Sequence, residues 1–124
     1  MAEILLIDDM AGVRRAVGSM LKQAGHTVVA AENGTEGLKR LKERRFDLVI
    51  TDMLMPELDG TEILRHLGSM QNRPRVIAIS GGGAGLSADM ALKTARITAD
   101  AYLEKPFDKS DLTAAIEKLL APSK

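Results

Sequence analysis

The chain contains no cysteine and no tryptophan, and it has one tyrosine and two phenylalanines. The lack of cysteine excludes disulfide bonds, thiolate catalysis and zinc sites built on cysteine. It also fits the reducing cytoplasm, where disulfides are rare. We therefore expect a cytoplasmic protein that is held together by its apolar core rather than by covalent links.

Net charge and long apolar runs are also absent. Lys plus Arg and Asp plus Glu number 17 each, so the overall charge gives no reason to expect direct binding to nucleic acid or to a membrane. The basic residues at 39–40 and 44–45 are interpreted as solvated helix surface, because acidic residues interrupt them. No apolar run approaches the ~18 residues of a membrane helix. The opening MAEILLIDD lacks the features of a signal peptide.

Five short apolar runs are spread along the 124 residues, at positions 4–7, 27–31, 48–51, 76–80 and 101–104. Three of them (ILLI, LVI and VIAI) are continuous, which is typical of parallel strands that are covered on both faces. The segments that follow the runs carry apolar residues at three- and four-residue steps, as amphipathic helices do. The length fits one domain, and we predict a single domain over residues 1–124.

The alternation of strand and helix predicts an α/β fold. We expect a five-stranded parallel sheet, doubly wound in (βα)5 order, with helices on both faces and right-handed crossovers. Asp59, with Glu62 three positions on, is a candidate cap for the third helix, and Ser110 is a candidate cap for the last one. In such sheets, ligands bind at the carboxyl ends of the strands, near the point where the strand order reverses.

Polar or charged side chains stand at the ends of four of the five predicted strands. The first strand is followed by Asp8 and Asp9 and the third by Asp52, and the fourth ends in Ser80. The fifth ends in Glu104 and is followed by Lys105. Taken singly, each residue is more typical of a turn, a cap or an exposed loop. Because parallel strands end at one edge of the sheet, we expect the whole set to converge there.

These residue types suit phosphate chemistry. Clustered carboxylates repel one another unless a cation joins them, and an all-oxygen ligand set suits Mg²⁺, which often binds phosphate as well. An aspartate can act as a nucleophile and form an aspartyl-phosphate. A lysine and a serine hydroxyl can then neutralise and hydrogen-bond the phosphoryl oxygens. The predicted edge is therefore suited to metal-assisted phosphoryl transfer.

Four segments, ILLIDD, ITDMLMPELDG, VIAISG and YLEKPF, resemble the response-regulator receiver domain of two-component signalling in their order and spacing. The resemblance covers essentially the whole chain and implies a flavodoxin-like arrangement of the predicted sheet. The length is similar to that of the single-domain, chemotaxis-type members. We therefore expect a receiver domain with no output domain attached.

The resemblance implies roles for the acidic residues of this edge. Asp52 matches the phosphoacceptor of the family. Asp8 and Asp9 match the acidic pair that binds the metal together with Asp52, and the main-chain carbonyl of Leu54 matches the last protein ligand. The implied cofactor is Mg²⁺, with Mn²⁺ as the alternative ion.

The resemblance also implies how the domain signals. Ser80 and Lys105 match the residues that contact the phosphoryl group, and Ser80 and Tyr102 match the switch pair. A sensor histidine kinase or a histidine phosphotransfer protein would supply the phosphoryl group. Phosphorylation would change binding of an unidentified downstream protein through the face of helix 4, strand 5 and helix 5, with homodimer formation as a further option. We expect no enzymatic activity beyond self-catalysed phosphorylation and dephosphorylation.

Other functions stay open from the sequence. A phosphate sink, a phosphorelay intermediate and a phosphate-independent adaptor would all share the fold. A flavin- or nucleotide-binding module would use GGGAG as a phosphate cradle, but this segment lacks the Lys-Ser/Thr of a Walker loop and does not follow the first strand. The acidic pair, the acceptor and the lysine together favour the switch.

Leu54 leads to a prediction about the lifetime of the phosphoryl group. It lies two residues after Asp52, a position that the family uses to tune hydrolysis of the acyl phosphate. Its bulky apolar side chain would hinder an attacking water, so we expect slow self-dephosphorylation. Leu54→Asn should accelerate the decay of the phosphorylated mass after the phosphodonor is removed. An unchanged decay rate would contradict this role.

Overall fold

The apolar runs of the sequence form strands, and the segments with helical spacing form helices. A computed structural model describes residues 2–52, 65–67, 69–70, 73–81, 100–105 and 107–120, and at positions 80, 81, 102, 104 and 105 it describes the backbone alone. The strands are β1 (Glu3–Ile7), β2 (Thr27–Ala31), β3 (Leu48–Asp52), β4 (Arg75–Gly81) and β5 (Ala101–Lys105). The helices are α1 (Ala11–Gln23), α2 (Gly34–Glu43) and α3 (Lys109–Leu120), and residues 65–67 are helical as well.

Helix α3 corresponds to the fifth helix predicted from the sequence. Residues 65–67 fall inside the predicted third helix, whose candidate cap Asp59 and cap partner Glu62 lie outside the described residues. The predicted fourth helix also lies outside them. Within the described ranges, no helix has the length and apolarity needed to cross a bilayer.

The five strands form one parallel sheet in the order β2-β1-β3-β4-β5. The chain moves from β1 outward to β2, and then returns to the other side of β1 for β3. The strand order therefore reverses between β1 and β3, which is the place where ligands bind in sheets of this type. The predicted parallel, doubly wound sheet is confirmed.

The sheet is apolar on both faces, because successive side chains of a strand point to opposite sides. On one face, Leu5 and Ile7 of β1 pack in a core with Leu41 of α2 and with Leu67. On the other face, the alternate residues of β1 pack in a second core with α1 and α3, through Ile4, Leu6, Val17, Leu21, Leu112 and Ile116. Helices therefore cover both faces, as the continuous apolar runs predict.

Side-chain caps define where two of the helices begin. Asn33 accepts a hydrogen bond from the Glu36 amide at 2.8 Å at the start of α2. At α3 the prediction of Ser110 as the cap is wrong: the Asp108 carboxylate accepts from the Asp111 amide at 2.9 Å, and the Ser110 hydroxyl donates to it at 2.7 Å. These hydrogen bonds, with that from Ser110 first, hold the pKa of Asp108 below its usual value.

Asp100 fixes the start of β5 against β4, at the edge opposite to the carboxyl ends. Its carboxylate accepts from the Val76 amide at 2.8 Å and from two nitrogens of Arg73 at 3.1 and 3.3 Å. Its own amide donates to the Val76 carbonyl at 3.0 Å. These contacts hold the pairing of Ile77 with Ala101 in register, and the same register pairs residue 81 with residue 105.

Two helical glycines give opposite expectations for the same substitution. A Cβ on Gly37 of α2 would overlap Cδ1 of Ile7 and lie 2.9 Å from its Cγ1, whereas a Cβ on Gly18 of α1 meets nothing within 4 Å. Alanine is favoured over glycine by about 1 kcal/mol in a helix, but overpacking a core costs about 1–3 kcal/mol. Gly37→Ala should therefore lower the free energy of unfolding in urea, and Gly18→Ala should raise it.

The source of the Gly37 effect can be checked with Ile7→Val, which removes Cδ1. The double variant Gly37→Ala/Ile7→Val should be more stable than the sum of the two single changes predicts, because the nearer of the two overlapping atoms is gone. A Gly37→Ala protein as stable as Gly18→Ala would contradict the close packing of α2 on β1.

Candidate functional site

Three carboxylates meet where β1 and β3 end. Ile7 of β1 and Thr51 of β3 are paired neighbours. Asp8 directly follows Ile7 and Asp52 directly follows Thr51, so the two aspartates stand side by side, and Asp9 comes next after Asp8. One carboxylate oxygen from each of the three aspartates lies within 4.8 Å of the other two. Asp8 and Asp52 are buried, with exposed fractions of 0% and 4%, whereas Asp9 is exposed. The predicted convergence of the three aspartates is therefore observed.

Asp8 is held through its backbone and its side chain. Its amide donates to the Ala31 carbonyl of β2 at 3.2 Å. Its Oδ1 accepts from the Met10 amide at 2.9 Å, and its carbonyl accepts from Nη1 of Arg14 at 2.7 Å. Arg14 is a site residue that the sequence patterns do not indicate. Its position six residues after Asp8 in a helix carries no signal that a local pattern would reveal.

Asp52 is the last residue of the central strand β3, between β1 and β4. Its backbone pairs with Ile79, and its carbonyl accepts from the hydroxyl of the buried Thr51 at 3.1 Å. Burial of a charged carboxylate is costly unless a partner compensates for the lost water. β3 therefore places a buried carboxylate at the end of a strand that is paired on both sides.

The donor set of the three aspartates fits a hard divalent cation. Mg²⁺ prefers oxygen ligands at about 2.0–2.1 Å in an octahedron, so its ligand atoms lie about 3–4 Å apart. The carboxylate oxygens of Asp8, Asp9 and Asp52 approach that spacing, and one of the three groups is open to solvent, where Mg²⁺ can keep its waters. The cluster can therefore hold a metal ion, while its role as a ligand set stays a prediction.

The backbones of Ser80 and Lys105 reach the same edge of the sheet. Ser80 follows Ile79, the pairing partner of Asp52, and its own partner is residue 104. Lys105 pairs with residue 81, and Tyr102 pairs with Ala78 further from the edge. The side chains of Ser80, Tyr102 and Lys105 are not described, and Leu54 lies outside the described residues. The roles assigned to these four residues stay predictions.

A separate cavity of about 520 Å³ lies between α1 and α3, away from the carboxylates. Its lining includes Met20, His26 and Ile116, and it includes none of the three aspartates. His26 has a structural contact there, because its Nδ1 accepts a hydrogen bond from the Ala2 amide at 3.1 Å. This histidine therefore ties β1 to β2 and takes no part in the acidic cluster.

Comparison with known families agrees with this geometry. Residues 4–117 match the model of the response regulator receiver domain. The chain belongs to this family. The resemblance of its sequence segments to receiver domains is therefore confirmed.

Curated receiver proteins match over nearly the whole chain. The response regulator receiver protein CpdR of Brucella abortus is 36% identical over 122 residues, which are 97% of this chain and 98% of that protein. The chemotaxis protein CheY of Bacillus subtilis is 34% identical over 118 residues, which are 94% of this chain and 96% of that protein. The transcriptional regulatory protein GlrR of Escherichia coli is 35% identical over 122 residues, but the chain spans only 27% of its length.

Solved receiver structures share the fold. A response regulator receiver domain protein of Clostridium thermocellum has a TM-score of 0.86 at 35% identity, with coverage of 97% of this chain and 94% of that one. The response regulator protein TrrA of Thermotoga maritima, solved in complex with Mg²⁺–BeF, has a TM-score of 0.82 at 29% identity, with coverage of 97% and 100%.

Removal of one exposed charge should separate metal binding from stability. Asp9→Asn leaves the buried residues in place and reduces the repulsion within the cluster, so its stability without metal should equal or exceed that of the wild type. A ligand that binds the folded state raises stability by mass action. Asp9→Asn should therefore lose most of the Mg²⁺-induced rise in Tm, measured by thermal unfolding in chelator and in Mg²⁺.

The matched control for Asp9→Asn is Glu32→Gln, which removes one exposed negative charge just after β2, outside the cluster. It should keep the Mg²⁺-induced rise in Tm. Equal losses in the two variants would mean that general charge, and not the cluster, attracts the ion.

Proposed function

We propose that this receiver domain is a phosphorylation-dependent signalling switch in which Asp52 accepts the phosphoryl group. The observation that carries the proposal is the position of Asp52. It is buried at the end of the central strand, with the acidic pair on the β1 side and the end of β4 on the other. Among the three clustered aspartates, only Asp52 lies between the acidic pair and the end of β4.

The proposed reaction is a nucleophilic displacement at phosphorus. A carboxylate oxygen of Asp52 forms the new P–O bond while the P–N bond of a phosphohistidine on the donor protein breaks. The departing imidazole takes up a proton, and the product on this chain is a mixed anhydride of aspartate and phosphate. In-line displacement of this kind depends mainly on positioning and charge neutralisation.

The other residues of the edge have supporting roles in this proposal. Asp8 and Asp9 would hold Mg²⁺, which supplies positive charge for the phosphoryl oxygens when it is bound. The Lys105 ammonium would neutralise a further oxygen, and the Ser80 hydroxyl would donate a hydrogen bond. Because Ser80 and Tyr102 lie on paired strands, movement of Ser80 towards the phosphoryl group would affect the position of Tyr102.

The proposed partners are a histidine kinase or a phosphotransfer protein upstream and another protein downstream. The downstream surface would include β5 and α3, with the predicted fourth helix beside them. A relay role is the second candidate, because the sporulation initiation phosphotransferase F of Bacillus subtilis is 31% identical over 118 residues. In a relay, the phosphoryl group would pass from Asp52 to a histidine of another protein.

Intact mass after incubation with a small phosphodonor tests the central step. With acetyl phosphate or phosphoramidate, the wild type should gain one phosphoryl group in Mg²⁺ and none in chelator. Asp52→Asn should gain none, because an amide is too weak a nucleophile. Asp47→Asn should behave as the wild type, because Asp47 lies at the opposite edge, where it accepts a hydrogen bond from the Glu3 amide at 2.8 Å.

The outcomes separate the candidate functions. Modification that survives Asp52→Asn would contradict the assignment of the acceptor. A folded wild type that gains no mass would favour a phosphate-independent adaptor. Rapid loss of the phosphoryl group to a phosphotransfer protein, faster than hydrolysis alone, would favour the relay over the switch.

A further inference from the structure

We propose that Arg14 is a positioning residue that orients the acidic pair for metal binding through its hydrogen bond to the Asp8 carbonyl. Nη1 of Arg14 donates to this main-chain oxygen at 2.7 Å. The inference rests on the proposed function, because it takes Asp8 and Asp9 as ligands of Mg²⁺. It adds a residue that is neither a proposed metal ligand nor one of the residues proposed to contact the phosphoryl group.

The contacted carbonyl belongs to the peptide bond that joins Asp8 to Asp9. A peptide unit is planar, so a fixed carbonyl oxygen also fixes the direction of the Asp9 amide. Hydrogen bonds with a charged donor are shorter and stronger than neutral ones, and the distance of 2.7 Å is at the short end of the range for such pairs. One side chain therefore restrains the backbone between both acidic residues.

Asp9 depends on this restraint more than Asp8 does. Asp8 is buried, its amide is bonded to Ala31, and its Oδ1 is bonded to the Met10 amide. Asp9 is exposed, and no hydrogen bond or ion pair to it is found in the described part of the chain. The direction of its carboxylate is therefore set by the backbone on either side, and Arg14 holds the side that faces Asp8.

The place of Arg14 in α1 needs a specific explanation. A cation near the amino end of a helix is disfavoured by the helix dipole, which prefers acidic groups there. The first turn of α1 nevertheless contains no acidic residue, and Arg14 lies in the opening part of the helix with its side chain half-buried. The bond to the Asp8 carbonyl and the attraction of the acidic pair offset this cost.

Two effects of opposite sign would follow from removal of Arg14. Loss of a positive charge near the cluster would strengthen binding of a dication. Loss of the hydrogen bond would free the Asp8–Asp9 peptide and so weaken binding of the dication. Arg15 separates the two effects. It is the next residue of the same helix, it is exposed, and its side chain makes no hydrogen bond or ion pair within the described ranges.

The test is an Mg²⁺ titration of the full chain, in which amide chemical shifts in two-dimensional NMR spectra report metal binding. Arg14→Met and Arg15→Met each remove one charge and keep an unbranched side chain, but only Arg14→Met removes the hydrogen bond. Outer-shell partners of metal ligands typically contribute about 10–100-fold to metal affinity. Arg14→Met should therefore bind Mg²⁺ about tenfold more weakly than Arg15→Met, and Arg14→Lys, which keeps a charged donor, should recover part of the loss.

An affinity of Arg14→Met equal to or above that of Arg15→Met would overturn the inference. It would leave the proposed function intact, provided that the wild type binds Mg²⁺ and is phosphorylated. A wild type that binds no Mg²⁺ would remove the metal site and, with it, the role of Arg14.

A measurement on the wild type carries the test if Arg14→Met does not fold. The guanidinium N–H groups of Arg14 should exchange and rotate slowly in NMR spectra, while those of Arg15 average as in free arginine. They should also shift during the Mg²⁺ titration, because the peptide that they contact joins two ligands. Guanidinium signals of Arg14 that are as mobile as those of Arg15 would overturn the inference.

Discussion

Three like charges held within 4.8 Å of one another are the arrangement on which the rest of this structure depends. Asp8 and Asp52 lose most of their contact with water, and Asp9 adds a further negative charge beside them. Burial and mutual repulsion both make it costly to hold these carboxylates together. A sheet that could relax would move the carboxylates apart, so the site requires a framework that cannot.

The two apolar cores provide this framework. Residues 4–7 of β1 and 48–50 of β3 are fully buried, and each strand is packed between helices on both faces. Parallel pairing on both sides of β1 and β3 leaves neither strand free to shift. The aspartates sit at the ends of these two strands, where such rigidity acts directly on the spacing of the carboxylates.

Helix α1 lowers the cost of the acidic pair. It starts without a side-chain cap from its own N-cap residue, Met10, and without an acidic residue in its first turn. The Asp8 carboxylate instead accepts from the Met10 amide, so the acidic pair stands where the positive end of the helix dipole favours negative charge. Arg14 adds a full positive charge on the same side. The negative cluster and the start of α1 thus stabilise each other before any cation binds.

The sequence predicts the strands and the acidic cluster well, because both depend on local patterns and on one rule of topology. The run at 27–31 coincides with β2. The observed strand at 48–52 extends its predicted run by one residue, and the strand at 75–81 extends its run by one residue at each end. Asp8, Asp9 and Asp52 follow from where parallel strands end. Ser110 is not the cap, because its hydroxyl donates to the carboxylate of Asp108, which is the stronger acceptor and itself caps the helix. Residue preferences alone do not distinguish between these two candidate caps.

Contacts between a side chain and a distant backbone group cannot be predicted from such local sequence patterns. Asp100 accepts a hydrogen bond from Val76, 24 residues away. Arg14 donates to the carbonyl of Asp8, which lies between β1 and α1. These contacts exist only once the sheet has formed, yet they set its details. Asp100 fixes the register of β5 from the amino edge, and this register decides which residues of β4 and β5 stand together at the carboxyl edge. The two edges of the sheet therefore have different roles. Contacts at the amino edge fix the register of the strands, and this register holds together at the carboxyl edge charged groups that would otherwise separate.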